Sequence, residues 1–198
     1  MTKGFFREQS GAVVIETAFL FVLIITLIQL LVEFSIYKQQ QTALERVNFV
    51  MAKVVRERNA LYGASPLLVF KQSDLLTQND VARLAELGKV LLQNSEYDFT
   101  LRVEAIVFAD TANATNATVA AKTSTISTYS SGNSCTIPNL TPLSDYGRLS
   151  AWTNNGRWMP IYRVSLCMPR RNSFIEQTIN RTLGFSEAIT VSNIVLSR

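Results

Sequence analysis

Hydrophobic residues form one long run close to the N-terminus of this chain. Residues 12–32 comprise 21 positions with a single charge, Glu16. An α-helix rises about 1.5 Å per residue, so the run spans roughly 30 Å, which matches the hydrocarbon core of a bilayer. We therefore predict a transmembrane helix over residues 12–33.

After this run the hydrophobic pattern changes, although a helix is still predicted. Residues 34–60 contain neither glycine nor proline, and their apolar residues recur at intervals of three and four, which places them on one helix face. We predict that residues 34–60 form the amphipathic half of one helix of roughly 45–50 residues, ending near Tyr62-Gly63. The stripe consists of Ile36, Ala43, Leu44, Val47, Val50, Met51, Val54 and Val55.

Residues 61–198 are predicted to form a small α+β domain. Asn79 or Asp80 is expected to cap a second helix that ends near Gln93. Residues 97–107 alternate between apolar and polar, as in a half-buried strand whose polar face, including Glu104, is solvated. The buried stripe of the second helix is predicted to consist of Val81, Leu84, Leu87 or Gly88, and Leu91. Three further strands are predicted at Val119–Tyr129, Trp158–Met168 and Glu187–Leu196, and a short helix at Phe174–Leu183.

The fold class predicted from these patterns is α+β. A long N-terminal helix, transmembrane in its first half and amphipathic in its second, carries a small antiparallel sheet domain.

The charges around the apolar run indicate its orientation. Lys3 and Arg7 precede the run, and few basic residues follow it closely. The positive-inside rule then places the N-terminus in the cytoplasm and residues 61–198 on the opposite side of the membrane, as an exported domain. A cleaved signal peptide is the main alternative, but its apolar region would be shorter and would end in a small-x-small site, which residues 29–35 lack. An uncleaved signal anchor remains open.

The two cysteines, Cys135 and Cys167, are 32 positions apart and form no CxxC motif. In an exported domain, an even pair predicts a disulfide, which would stabilise the fold by about 3–4 kcal/mol. Two buried free thiols are the alternative.

The composition argues against several classes of function. The chain has no histidine, which removes the commonest general base and metal ligand, and it carries a net charge of only +4. No phosphate-binding loop, zinc signature or nucleophile elbow is present. We therefore predict no metal site, no cofactor, no nucleic-acid partner and no enzymatic activity.

Trp152 and Trp158 flank a turn-forming segment, residues 154–156. They are consistent with a binding patch or sugar platform, or with a small core beside the disulfide. We favour the small core, because tryptophans are more often buried than used for binding.

Glu16 requires compensation, because a carboxylate inside the membrane costs on the order of 2–3 kcal/mol at the centre and less near an end. If the chain were cut after Gly11, the new amine of Ala12 would lie four residues before Glu16. An amine at that offset on a neighbouring, axially shifted copy would neutralise the carboxylate.

This arrangement of a short basic leader, Gly11, Ala12 and then Glu16 resembles bacterial prepilins of the Flp, or tight adherence (Tad), class. Thr17 follows Glu16 where the major pilin usually has an aromatic residue, and the chain is far longer than a major pilin. It is more similar to the pilin-like proteins TadE and TadF, which add a large extracytoplasmic domain. Residues 158–167 resemble the C-terminal cysteine region of TadF-like proteins, which favours TadF over TadE.

The resemblance implies a pilin-like fold and a specific role. Residues 1–11 would be a leader that prepilin peptidase removes between Gly11 and Ala12, and Glu16 would set the register of the helix against a neighbour. The implied function is that of a minor pilin or pseudopilin in assembly or initiation of a Tad/Flp pilus. Its implied partners are the peptidase, the major Flp pilin, a sister pseudopilin, the inner-membrane platform and membrane lipid.

Two hypotheses from other classes remain open. One is a signal-anchored envelope protein that binds a ligand through Trp152, Trp158 and the loop rich in serine and threonine. The other is a membrane-anchored enzyme, for which the sequence names no convergent polar residues.

Overall fold

The structure is a computed structural model, and it describes residues 5–62, 76–92, 98–108, 122, 124–152, 158–169 and 188–197. The elements in chain order are α1 (Phe5–Tyr62), α2 (Gln78–Leu91), β1 (Thr100–Phe108), β2 (Ser124–Ser131), a 3₁₀ helix (Leu143–Leu149), β3 (Ile161–Pro169) and β4 (Ala188–Leu196). A long N-terminal helix with a small antiparallel sheet confirms the predicted α+β, pilin-like fold class. The helix predicted at Phe174–Leu183 lies outside the described residues.

Helix α1 contains 58 residues and is longer than predicted, because it begins at Phe5 inside the basic leader. Gly11 does not interrupt it, since one glycine inside a helix costs only about 1 kcal/mol relative to alanine. The helix ends at Tyr62, where the sequence predicts its end. Gly63 lies outside the described residues.

The chain forms two compact units, and α1 contributes to both. The first unit includes α1 as far as Gln41, and the second includes α1 from Thr42 onward together with α2 and the sheet. In the second unit, α1 buries residues at intervals of three and four, as an amphipathic helix does. These residues are Leu44, Val47, Asn48, Met51, Ala52 and Val55. The predicted stripe omitted Asn48 and Ala52, and it wrongly included Ile36 and Ala43, which are exposed.

Helix α2 begins with a capping box, and its cap is Thr77 rather than the predicted Asn79 or Asp80. The Asp80 backbone N–H donates to Thr77 Oγ1 at 3.3 Å, and the Thr77 backbone N–H donates to Asp80 Oδ2 at 3.0 Å. Asp80 therefore holds the third helical position, where its carboxylate satisfies the backbone of the true cap. Leu91, assigned to the buried stripe, is 37% exposed at the end of the helix.

The four strands form one antiparallel sheet in the order β2-β1-β3-β4. In the centre, Val103 of β1 lies opposite Tyr129 of β2 and Val164 of β3. Strands β1 and β3 are therefore the inner strands, and β2 and β4 are the outer ones.

Strand β1 is buried on both faces, so the prediction of a half-buried strand with a solvated polar face is wrong. Ile106 on one face packs with Leu143 of the 3₁₀ helix and with Ile161 of β3. On the other face Leu101 and Val103 are fully buried. A central strand that is packed on both faces has no solvated side, even when polar and apolar residues alternate along it.

Helices α1 and α2 contact each other at Gly88, next to Phe99, which immediately precedes β1. A Cβ atom at Gly88 would overlap the Met51 methyl group and lie 2.8 Å from Phe99 Cζ. A glycine at this position therefore allows α2 to lie close against α1 and the start of β1.

Candidate functional site

The first half of α1 exposes apolar side chains along its whole length. From Val13 to Glu57 the helix contains an 18-residue window with a mean hydropathy of 2.5, and none of that window is buried within the structure. Ile15 and Phe19, for example, are 73% and 69% exposed. A core helix of a soluble domain would bury these side chains, so this half of α1 has the length and composition of a single membrane anchor.

The hydroxyl groups inside this apolar segment are satisfied by the helix itself. Thr17 Oγ1 donates to the carbonyl oxygens of Val13 and Val14 at 2.9 and 3.0 Å, and Thr26 Oγ1 donates to that of Val22 at 2.8 Å. Such bonds lower the cost of placing a hydroxyl group in lipid.

The carboxylate of Glu16 differs from these hydroxyl groups. It is exposed on α1, and within the described residues it has neither an ion pair nor a side-chain hydrogen bond. Gly11 and Ala12, the predicted processing site, lie on the same helix one turn earlier. Glu16 is therefore the one charge in the apolar half of α1 that the chain leaves without an intramolecular partner in the described structure.

Aromatic and cationic side chains follow the apolar segment. The Lys38 ammonium lies 5.8 Å from the ring centroid of Phe34 and 5.9 Å from that of Tyr37. It also donates to Gln41 Oε1 at 3.2 Å. Aromatic residues beside a lysine are typical of the boundary between membrane and water.

In the second unit, a disulfide joins Cys135 to Cys167, with the Cα atoms 6.0 Å apart. The Cys135 backbone N–H donates to Thr100 Oγ1 at 3.1 Å, so the loop before the 3₁₀ helix is attached to both inner strands. Cys167 is fully buried on β3.

The prediction that the two tryptophans form a small core beside this disulfide is wrong. Trp152 and Trp158 form an isolated antiparallel bridge, with T-shaped rings whose centroids are 5.3 Å apart. Trp158 precedes the start of β3, whereas Cys167 lies near its end, so the two features occupy opposite ends of the sheet.

Lys122 packs on Trp158, a contact that the sequence does not predict because the two residues lie far apart in the chain. Its ammonium lies 4.1 Å from the ring centroid of Trp158 and 5.3 Å from that of Phe108, and it donates to the Ser150 carbonyl at 3.5 Å. Burial lowers the pKa of Lys122, while the two aromatic faces favour its charged form. This cluster lies at the end of the sheet where β3 begins, with both tryptophans half-buried.

Acidic residues are not arranged for catalysis in the part of the chain that the structure describes. Glu104 is buried and pairs with Arg163, which corrects the prediction that it is solvated, and Asp98 is exposed. No group of three metal-ligating side chains lies together among the described residues.

A cavity of about 380 Å³ lies between α1 and α2. Its lining is aliphatic apart from Asp80 and Arg83, and the Asp80 carboxylate is already used in the capping box of α2.

Asn48 is a further residue that the sequence pattern did not identify. It is fully buried on α1, and neither its amide nitrogen nor its amide oxygen has a hydrogen-bond partner among the residues that the structure describes. Its position one turn after Leu44 and three residues before Met51 is the signal that could have revealed it.

The chain matches the family model described as "Putative tight adherence pilin protein F" (TadF) over residues 4–198. Comparison with curated proteins finds no match, and comparison with solved structures finds none either.

Proposed function

Because this chain belongs to the TadF family of tight adherence pilin proteins, we propose that it is a minor pilin, or pseudopilin, of a Tad/Flp-type pilus. Its role would be to assemble or initiate the filament. Pilins are structural proteins, and we propose no catalytic activity for this one. The observation that carries the proposal is the family match over nearly the whole chain, on a protein whose first helix is apolar and exposed in its first half.

The first step of the proposed mechanism is membrane insertion with the N-terminus in the cytoplasm. The basic residues Lys3 and Arg7 support this orientation by the positive-inside rule. The domain that contains the sheet would then lie in the periplasm or outside the cell, anchored in the inner membrane by α1.

The second step is cleavage between Gly11 and Ala12 by a prepilin peptidase. A glycine before the cut gives a peptidase access to the backbone without a side chain in the way. Cleavage would leave the Ala12 amine as a new positive charge one helical turn before Glu16.

The third step is registration of α1 against a neighbouring pilin. Glu16 would pair with the N-terminal amine of an axially shifted neighbour, and low dielectric strengthens such a pair while penalising an unpaired carboxylate. The neighbours proposed are the major Flp pilin and a sister pseudopilin, assembled on the inner-membrane platform.

The mature N-terminus tests this proposal directly. It would be determined by mass spectrometry of protein purified from the membranes of its own host. A chain that starts at Ala12 is the expected result. An intact Met1 would instead indicate a signal-anchored binding protein, and a start beyond residue 30 would indicate a secreted domain without α1 as an anchor.

A further inference from the structure

In the part of the chain that the structure describes, both outer strands of the sheet have an open side. Among the described residues, β2 pairs only with β1, and β4 pairs only with β3. The free backbone groups of such strands can pair with a strand from another chain.

On β2, a hydrogen bond identifies the residues whose backbone points away from the sheet. The Ser130 carbonyl accepts from Gln78 Nε2 at 2.6 Å and therefore points away from β1. In an antiparallel pair, alternate residues direct both N–H and C=O to the same side. Ser124, Ile126 and Thr128 consequently point outward as well, and these three have no other backbone partner in the described structure.

On β4, a second hydrogen bond gives the same kind of information. The Ser197 N–H donates to the Pro160 carbonyl at 3.0 Å, so residue 197 points toward β3. Alternation then leaves the even-numbered positions of β4 pointing outward. Those with no other backbone partner in the described structure are Thr190, Ser192, Ile194 and Leu196.

Neither strand carries the features that usually prevent edge pairing. Within Ser124–Ser131 and within Ala188–Leu196 there is no charged residue and no proline. The registers with β1 and β3 run without a bulge. Natural proteins commonly protect edge strands with lysine, proline or bulges. Here, among the described residues, the Gln78 side chain covers one outward carbonyl.

We propose that copies of this chain associate head to tail, with β4 of one copy added to β2 of the next. Strand β1 runs antiparallel to β2 and to β3, and β3 runs antiparallel to β4, so β2 and β4 point in opposite directions. Two copies in the same orientation therefore present an antiparallel β4–β2 pair. The contact is heterologous and continues from copy to copy.

The side chains favour one register for this pair. With Ile194 opposite Ile126, Ser192 lies opposite Thr128, and all four residues have outward backbone groups on their own strands. This register places an apolar residue opposite an apolar one and a hydroxyl opposite a hydroxyl, which are favourable cross-strand pairs. Ile126 is 50% exposed in the single chain, so the contact would also cover an apolar side chain.

Head-to-tail addition uses two different sheet edges, one from each copy. Each added copy is related to the previous one by the same operation, with no half-turn between them. Pairing of β2 with another β2 would instead require a half-turn about an axis normal to the sheet. The proposed row goes beyond the pilin role and does not depend on cleavage at Gly11, so the two proposals can fail separately.

Thiol crosslinking in membranes that contain the full chain tests the contact. In the double variant Thr128→Cys, Ser192→Cys, a short thiol crosslinker is expected to give a ladder of covalent multimers. Each single variant, and the exposed control Ser144→Cys, should give no ladder. A double variant that stays monomeric would overturn the proposal. Dimers from Thr128→Cys alone would also overturn it, because they indicate a two-fold contact between β2 strands. Crosslinked products that contain only another protein would overturn it as well.

A block of the β2 edge gives an independent readout in the same cysteine background. Ile126→Pro removes an outward N–H but no bond to β1, so it should abolish the ladder, whereas Ile126→Val should retain it. Limited proteolysis checks that the sheet of each variant is intact. If the proline variant does not accumulate, Ile126→Lys replaces it, because a charge on the exposed edge also opposes strand pairing. A ladder that persists in the folded blocked variants would overturn the role of this edge.

Discussion

Arg163 and Glu104 lie opposite each other on the two inner strands and form an ion pair that is almost completely removed from solvent. Arg163 Nε donates to Glu104 Oε2 at 2.5 Å, and Arg163 Nη1 donates to the Thr141 carbonyl, also at 2.5 Å. The side chains are 4% and 12% exposed. A single guanidinium therefore joins β3 to β1 and to the loop before the 3₁₀ helix.

Removing the carboxylate of this pair should destabilise the domain strongly. Glu104→Ala leaves the Arg163 guanidinium buried without its counter-ion, and we expect the free energy of unfolding to fall by about 3 kcal/mol. Chemical denaturation of the detergent-solubilised full chain measures this loss. Glu86→Ala removes the exposed pair with Lys89 and should change stability by less than about 0.5 kcal/mol. Equal effects of the two substitutions would contradict the importance of the buried pair.

The close packing at Gly88 should make even one added methyl group costly. Gly88→Ala places a Cβ atom against the Met51 methyl group and Phe99, and overpacking of this kind costs about 1–3 kcal/mol. The matched control is Gly147→Ala, whose Cβ would have no atom within 4 Å. We expect a lower melting temperature for the first variant only. A neutral Gly88→Ala would show that α2 can move away from α1 freely.

The unpartnered amide of Asn48 should make an apolar replacement favourable. Asn48→Leu keeps a similar volume and removes two buried polar atoms that have no hydrogen bonds within the described ranges. The free energy of unfolding should therefore rise by about 1–2 kcal/mol. Asn48→Asp should destabilise the domain, because it buries an unpaired charge. Thermal unfolding of both variants compares the effects. A loss of stability in Asn48→Leu would show that the amide has a partner, such as a buried water.

The disulfide should be detectable without a structure. The wild-type chain is expected to migrate differently on a gel with and without reductant, and Cys135→Ser should abolish the difference. Loss of the covalent link across 32 positions should lower the free energy of unfolding by about 3–4 kcal/mol. Identical migration of the oxidised and reduced wild-type chain would exclude the bond.

The carboxylate in the apolar half of α1 should matter for assembly rather than for insertion. Glu16→Leu makes the segment more apolar, so membrane insertion and cleavage should proceed, while piliation should be impaired because the register partner is lost. Thr26→Val is the matched control, since the Thr26 hydroxyl is satisfied within the helix. Electron microscopy of surface pili compares the two. Normal piliation in Glu16→Leu would rule out the registration role.

The long helix and the strand alternation were predictable because they depend on local patterns. The absence of glycine and proline in residues 34–60 indicated that α1 continues past the apolar run, and alternation in residues 97–107 identified β1. Burial of Glu104 was not predictable from the same pattern. Alternation assigns residues to two faces, but it does not say whether a strand lies inside the sheet or at its edge.

Contacts between residues distant in the chain account for the remaining differences. The Lys122 stack on Trp158 depends on how the loops return to one end of the sheet, and no spacing in the sequence records that return. The cap of α2 was a local signal that was misread: Thr77 and Asp80 form a capping box, and the acidic member was taken for the cap.

The burial of Cys167 bears on when the disulfide forms during folding. Cys167 is fully covered on an inner strand, whereas Cys135 is partly exposed. A sulfur atom in the position of Cys167 is most accessible to an oxidant before the sheet closes over it. We therefore expect the bond to form fastest in an oxidising compartment while the chain is still open.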